Sequence, residues 1–252
     1  LNFYLEYGFT SGEFGMKSPL FTVKKGSITN VPLSNLKPAT KVYYRIRFLT
    51  SGSKTYLVKT GASFSTAAQV MSNANRTFAI QADPHMDENS DENVYKGTLK
   101  QIVAASPAFL MDLGDIFMVD KLQQKTEANI RARFELMKGY YSLLGNVPLK
   151  ITLGNHDGEL GYSKFNTKSY RKEYFPEQTG ELAYYSFTGP DQLHVVLDPF
   201  TYTTSNPKDD GWQWTLGQTQ YQWLKQTLEA SKETHKFIYI HHLLVGNATS
   251  RR

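Results

Sequence analysis

The sequence predicts two regions of different class: an antiparallel β-sandwich over residues 1–68 and, after a linker at residues 69–76, an α/β fold of layered sheets flanked by helices over residues 77–252. Three observations carry this reading. The first region alternates apolar and polar residues in short runs broken by Gly, Ser, Pro and Asn, the pattern of half-buried strands. From residue 77 onward, short apolar runs alternate with longer stretches of helical period, an order that builds α/β folds. Four of those apolar runs deliver Asp, His or Asn just past their C-terminal ends, at the strand edge where open α/β sheets place their sites.

Within the first region, Phe21-Thr22-Val23, Lys41 to Phe48 and Thr55-Tyr56-Leu57-Val58 read as strands. In the longest of them Val42, Tyr44, Ile46 and Phe48 share one face, and Lys41, Tyr43, Arg45 and Arg47 the other, which separates a core side from a solvent side. The segment Leu33-Ser34-Asn35-Leu36-Lys37-Pro38-Ala39-Thr40, followed by Tyr43-Tyr44-Arg45-Ile46, resembles the turn and tyrosine-bearing strand of a fibronectin type III domain. Phe64-Ser65-Thr66 is similar to the closing strand of that domain. Such sandwiches run to about 100 residues, so one or two N-terminal strands are expected to be missing here. The start at Leu1 without a Met, and the end at Ser250-Arg251-Arg252 just past an apolar run, agree with an interior piece of a longer product.

The stretch leading through the linker is rich in Ala, Ser and Asn, a composition that favours an irregular connection. Beyond it, Thr77 to Gln81, Ala108 to Leu113, Leu149 to Leu153, Leu193 to Leu197 and Lys236 to Ile240 read as strands. Val94 to Ala105, Lys121 to Leu144 and Leu216 to Ala230 read as helices, the last with Tyr221, Leu224 and Leu228 along one stripe.

Composition removes several functions. The net charge is +5, but the longest basic clusters are pairs such as Lys24-Lys25 and Arg251-Arg252. Nucleic-acid binding needs a contiguous basic stripe, so no dedicated binding of that kind is expected. Cysteine is absent, which excludes disulfides, thiolate ligands and a Cys nucleophile. No apolar run reaches the roughly 18 to 20 residues of a membrane span.

The chemistry lies at the strand ends. Phe78 to Ala82 runs into Asp83-Pro84-His85, Phe109 to Leu113 into Gly114-Asp115, Leu149 to Leu153 into Gly154-Asn155-His156-Asp157, and Phe237 to Ile240 into His241-His242. Carboxylate, amide oxygen and imidazole without thiolate suit hard or borderline divalent ions. Asp83 and His85 can reach one ion if the chain turns at Pro84, whose φ is fixed. A carboxylate such as Asp115 can bridge two ions roughly 3.5 to 4 Å apart, the spacing that clamps a phosphoryl group. Gly114 and Gly154 allow tight turns before the ligands. Taken singly, Asp83, Asp115 and Asn155 also fit ordinary loop and helix-capping roles.

Together, in this order, Asp83-x-His85, Gly114-Asp115, Gly154-Asn155-His156-Asp157 and His241 resemble the motifs of the calcineurin-like metallophosphatases. The resemblance implies a first metal on Asp83, His85 and Asp115 and a second on Asp115, Asn155 and His241, with His242 the alternative to its neighbour. It implies that His156 contacts the substrate phosphate or protonates the leaving oxygen and that Asp157 orients it. Two further histidines from a Gly-His-x-His segment are expected beyond Arg252. A β-sandwich ahead of such a domain is also similar to the purple acid phosphatases, whose iron-bound Tyr lies three residues after the motif Asp. Met118 stands there, and a thioether does not replace a phenolate on ferric iron. Two divalent ions of zinc, manganese, magnesium or iron are therefore expected.

The expected activity is hydrolysis of a small phosphate monoester or diester by metal-bound hydroxide at this dinuclear site. The alternative is a non-catalytic binding or adhesion protein on a degenerate phosphatase scaffold. By analogy, the sandwich fusion points to an extracytoplasmic, secreted or periplasmic setting. Substrate choice is expected to lie in the loops Tyr162 to Gln178 and Tyr202 to Trp214. Asp87, Glu88, Asp91 and Glu92 read as a solvated acidic loop rather than a calcium site, and His194 and His235 as structural or surface residues.

Overall fold

The computed structural model describes residues 1–24, 29–66, 77–87, 89–158, 170, 174–175, 182–200 and 215–242. The chain divides into two compact units, Leu1–Ala74 and Asn75–Arg252.

In the first unit β1 (Asn2–Gly8), β2 (Met16–Lys17), β3 (Phe21–Thr22), β4 (Lys41–Leu49) and β5 (Leu57–Ser65) form one antiparallel sheet, ordered β2-β1-β4-β5 with β3 also on β1. Among the described residues this is a single sheet, so the expected second layer of a sandwich is not seen in them. The two-faced reading of β4 holds at Val42, which is buried, and at Lys41, which is exposed. On the other face, Arg45 and Arg47 turn their Nε atoms onto the Glu6 carboxylate at 2.6 and 2.9 Å. Glu6 is thereby buried to 6% exposure on a side expected to face solvent.

The segments Thr55 to Val58 and Phe64 to Thr66, expected as separate strands, contribute Leu57-Val58 and Phe64-Ser65 to the two ends of the single strand β5. Its register shifts opposite Tyr44 and Ile46. A Cβ at Gly61 would lie 2.1 Å from the Tyr44 carbonyl oxygen. Glycine here fits a bulge and continues the strand instead of ending it.

The second unit holds β6 (Ala79–Gln81), α1 (Glu92–Ala104), β7 (Leu110–Asp112), α2 (Glu127–Tyr141), β8 (Leu149–Ile151), β9 (Tyr185–Gly189), β10 (Gln192–Val196), α3 (Gly217–Ala230) and β11 (His235–Tyr239). Strands β6, β7 and β8 form a parallel sheet, and β11-β10-β9 a mixed one. Strand alternation sorts the side chains into layers. Leu110 packs with Leu99 of α1 and Ile130, Phe134 and Met137 of α2, while its neighbour Met111 meets Val196 and Tyr239. Leu193 and Val195 turn the opposite way, onto Trp223, Leu224 and Leu228 of α3. The result is the expected α/β architecture, with two sheets face to face and helices outside.

His194 lies between the sheets, stacked on Phe187 and Phe237, with Nδ1 2.9 Å from the Tyr239 hydroxyl. It is a core residue. The helix expected over Lys121 to Leu144 is shorter, because Thr126 caps α2 by accepting from the Asn129 N–H. A 3-10 turn, Val119–Lys121, precedes it. In the acidic loop, Asp91 caps α1 through the N–H groups of Asn93 and Val94, and Glu92 pairs with Lys96. Among the described residues no helix is long and apolar enough to cross a membrane.

Candidate metal centre

The parallel order of β6, β7 and β8 sends their C-terminal ends to one edge, so that Asp83 and His85, Asp115, and Asn155 and His156 follow side by side. Backbone bonds knit these loops: the Asp83 N–H donates to the Gly114 carbonyl at 3.1 Å and the His85 N–H to the Asp115 carbonyl at 3.2 Å. Asp83, His85 and Asp115 all adopt left-handed backbone, with φ of 53°, 44° and 57°. Side-chain-bearing residues adopt this region at a cost, and it recurs where loops are held for function.

Both motif glycines are required by close approach. A Cβ on Gly114, whose φ is +106°, would lie 2.4 Å from the Gly154 nitrogen. One on Gly154 would lie 2.2 Å from both the nitrogen and Oδ1 of Asp115. Gly154 serves by leaving room for a ligand rather than by turning the chain with positive φ.

Asp115 is the hub. Its side chain is 4% exposed, and its Oδ2 lies 3.1 Å from His85 Nε2, 3.6 Å from His241 Nε2 and 3.9 Å from His156 Nε2. Its Oδ1 accepts the His156 N–H at 2.9 Å. Asp83 Oδ1 is 3.4 Å from His85 Nε2. Asp83, His85 and Asp115 each offer a ligand atom within 4.8 Å of the others, and the three can hold a metal ion.

The donor set on the other side of Asp115 suits a cation too. His241 Nδ1 is 2.9 Å from the Leu113 carbonyl oxygen, which only accepts. In a neutral ring the proton therefore sits on Nδ1, and Nε2 presents a bare lone pair. That lone pair faces Asn155 Oδ1 at 3.1 Å and Asp115 Oδ2 at 3.6 Å. In that tautomer the three groups offer converging electron pairs, a set that can accept a cation. The carbonyl on Nδ1 is the kind of outer partner that orients metal-ligating histidines. Of the two neighbouring histidines, His241 faces the cluster in this way. The His242 ring meets Phe200 edge-on at 6.3 Å, and burial pushes its pKa down.

His156 reaches the hub from the other side, and its orienting partner is Asp120, which the sequence reading missed. Asp120 Oδ2 lies 2.6 Å from His156 Nδ1, and this hydrogen bond raises the imidazole pKa. Asp157, expected in that role, has its carboxylate committed elsewhere. Its Oδ1 accepts the N–H groups of Ile116 and Phe117, each at 2.7 Å. Its Oδ2 accepts those of Asp115 and Gly154 at 2.7 and 2.8 Å. Asp157 thus shapes the Asp115 loop. Burial pushes its carboxyl up, against the pull of these donors. Met118 is 1% exposed, beside Val119, whose N–H donates to the His156 carbonyl at 2.9 Å. Apart from residues 170 and 174–175, the loops expected to set substrate choice lie outside the described residues.

A protein-family model, calcineurin-like phosphoesterase, matches residues 76–250. No curated protein sequence matches the chain.

Proposed function

The chain belongs to the calcineurin-like phosphoesterase family, hydrolases of phosphoric ester bonds, and from that premise we propose that it cleaves a small phosphate monoester or diester at a two-cation site. The observation that carries this is the single oxygen Asp115 Oδ2 placed between His85 Nε2 and His241 Nε2, at 3.1 and 3.6 Å. Asp83, His85 and Asp115 would hold one divalent ion, and Asp115, Asn155 and His241 the other. All their donors are oxygen or imidazole nitrogen, which suits zinc, manganese, magnesium or ferrous iron. When bound, such ions acidify water and neutralise phosphoryl oxygens.

The chain's own groups do the rest. Asp120 favours the charged His156 ring, and the His156 Nε2–H faces the hub, where it can donate to a phosphoryl oxygen or give its proton to the departing alkoxide. Asp157 keeps the Asp115 loop in place through its four backbone bonds. Met118, where a tyrosinate–iron centre has Tyr, supports a pair of divalent ions. The motifs from Leu33 to Ile46, with β4 running in an antiparallel sheet, support reading the first unit as an accessory fibronectin III-like unit, and that fusion supports an extracytoplasmic enzyme.

Turnover of p-nitrophenyl phosphate and its bis ester, after chelation and after return of manganese or zinc, tests the proposal. Metal-dependent hydrolysis that disappears in Asp115→Ala is expected. No hydrolysis with any divalent ion, or wild-type rates in Asp115→Ala, overturns it, and metal binding without turnover favours the degenerate scaffold.

A further inference from the structure

Directly beneath the metal edge, on the helix side of the β6-β7-β8 sheet, a buried polar cluster interrupts the apolar core. Its centre is Asp112, the last residue of β7, which is fully buried. Asp112 Oδ2 accepts from the Tyr141 hydroxyl of α2 at 2.5 Å and from Gln81 Nε2 at the end of β6. Gln81 Nε2 also donates to the Tyr95 hydroxyl of α1 at 3.2 Å. The other oxygen, Asp112 Oδ1, accepts the Gly114 N–H at 3.2 Å.

A buried carboxylate is costly unless its lone pairs meet donors. Burial pushes the Asp112 carboxyl up to about 7 even with these three donors in place. Nothing in the reaction needs this carboxylate, yet its place in the fold is specific. Gln81 is two residues from Asp83, and Gly114 immediately precedes Asp115. The cluster therefore ties the end of β6 to the end of β7 where each delivers a metal ligand. It also holds the N–H of Gly114, the residue at φ +106° that turns the chain into Asp115. Asp157 holds the loop after that point, through the N–H groups of residues 115 to 117. Asp112 holds it before.

We infer that Tyr141 and Gln81 are positioning residues for the metal ligand Asp115, acting through the buried carboxylate of Asp112 and its bond to the Gly114 N–H. The inference rests on the two-cation reading of the site. Tyr141 is the sharper probe, because its ring stays packed against Phe175 when the hydroxyl is removed. Tyr140, its neighbour on the same helix, directs its hydroxyl at Glu92 instead and provides the control.

Calorimetric titration of the metal-free full chain with Mn²⁺ tests this, alongside thermal unfolding of the same samples. Outer partners of metal ligands change affinity by roughly 10 to 100-fold. Tyr141→Phe is expected to weaken Mn²⁺ binding by about tenfold, at the lower end of that range, while Tyr140→Phe leaves it unchanged. Adding Tyr141→Phe to Asp112→Asn is expected to produce no further loss, since the hydroxyl acts through that carboxylate. Unchanged affinity in Tyr141→Phe, an equal loss in Tyr140→Phe, or additive losses in the double variant would overturn the inference. Should Asp112→Asn fail to fold, the two tyrosine variants decide it alone. A wild-type chain that binds no Mn²⁺ or Zn²⁺ sinks the two-cation reading itself, whereas normal wild-type binding with an unaffected Tyr141→Phe sinks only the positioning role.

Discussion

His156 Nδ1 lies 2.6 Å from Asp120 Oδ2, which leaves the opposite ring nitrogen, Nε2, aimed at Asp115 Oδ2 from 3.9 Å. The pair fixes the ring orientation and, under the proposed mechanism, which ring nitrogen would carry the working proton. Asp120 is itself inside the protein, and its Oδ1 is buried with no partner among the described residues.

Replacing Asp120 therefore attacks the reaction through His156. Asp120→Asn is expected to lower kcat for an aryl phosphate by about 100-fold, the scale of a lost acid–base contribution, with KM nearly unchanged. His156→Ala is expected to lose a similar amount, and the double variant no more than the worse single one. Steady-state kinetics on the four proteins measures this, and independent multiplicative losses would separate Asp120 from His156.

Gly154 gives a second expectation, about packing. A methyl group there would sit 2.2 Å from the nitrogen and Oδ1 of Asp115, backbone and ligand atoms that are pinned by Asp157 and His156. Gly154→Ala is expected to cost about 2 kcal/mol of folding stability through overpacking and to weaken divalent-ion binding. Chemical denaturation with a metal titration checks both, and a variant as stable and as tight-binding as wild type would contradict the crowding.

The first unit carries a pH expectation at Glu6. Burial pushes its carboxyl up, but hydrogen bonds from Arg47 and Arg45 more than offset this and hold its pKa below the ordinary 4.5. A carboxylate depressed in the folded state stabilises above its unfolded value, and the contribution disappears as pH falls through the folded one. Glu6→Gln is thus expected to cost about 2 kcal/mol near neutral pH, and the gap to wild type should close as the pH falls below 4.5 and through the lower folded-state value. Denaturation curves across that range test it; a gap independent of pH would show that Glu6 acts through shape alone.

The ligand-bearing strand ends were legible in the sequence because each is a short apolar run stopped by Asp, His or Asn, a local pattern. Roles that depend on contacts across the chain were not. Asp157 follows His156 in sequence, yet its partners are the N–H groups of Gly154 and of residues 115 to 117, and no side-chain pattern announces backbone donors. Asp120 lies in the 3-10 turn Val119–Lys121, immediately before what reads as the start of a helix at Lys121. The one available signal was Thr126, a capping residue that places the helix start later. The two ends of β5 read as separate runs because the irregularity between them is set by Tyr44 and Ile46 on another strand. β9 was missed because Tyr185 to Gly189 alternates aromatic and polar residues without a continuous apolar run, and its meaning lies in pairing with β10.

Asp115 as the shared ligand of two ions is the centre of this account, and counting the metal on the intact protein tests it most directly. Native mass spectrometry of the wild-type chain and of Asp115→Ala, each loaded with zinc or manganese, is the measurement. Two ions on wild type and loss of both in Asp115→Ala are predicted, because the oxygen between His85 and His241 serves each site. A wild-type chain that binds no ion, or an Asp115→Ala chain that keeps both, would contradict it.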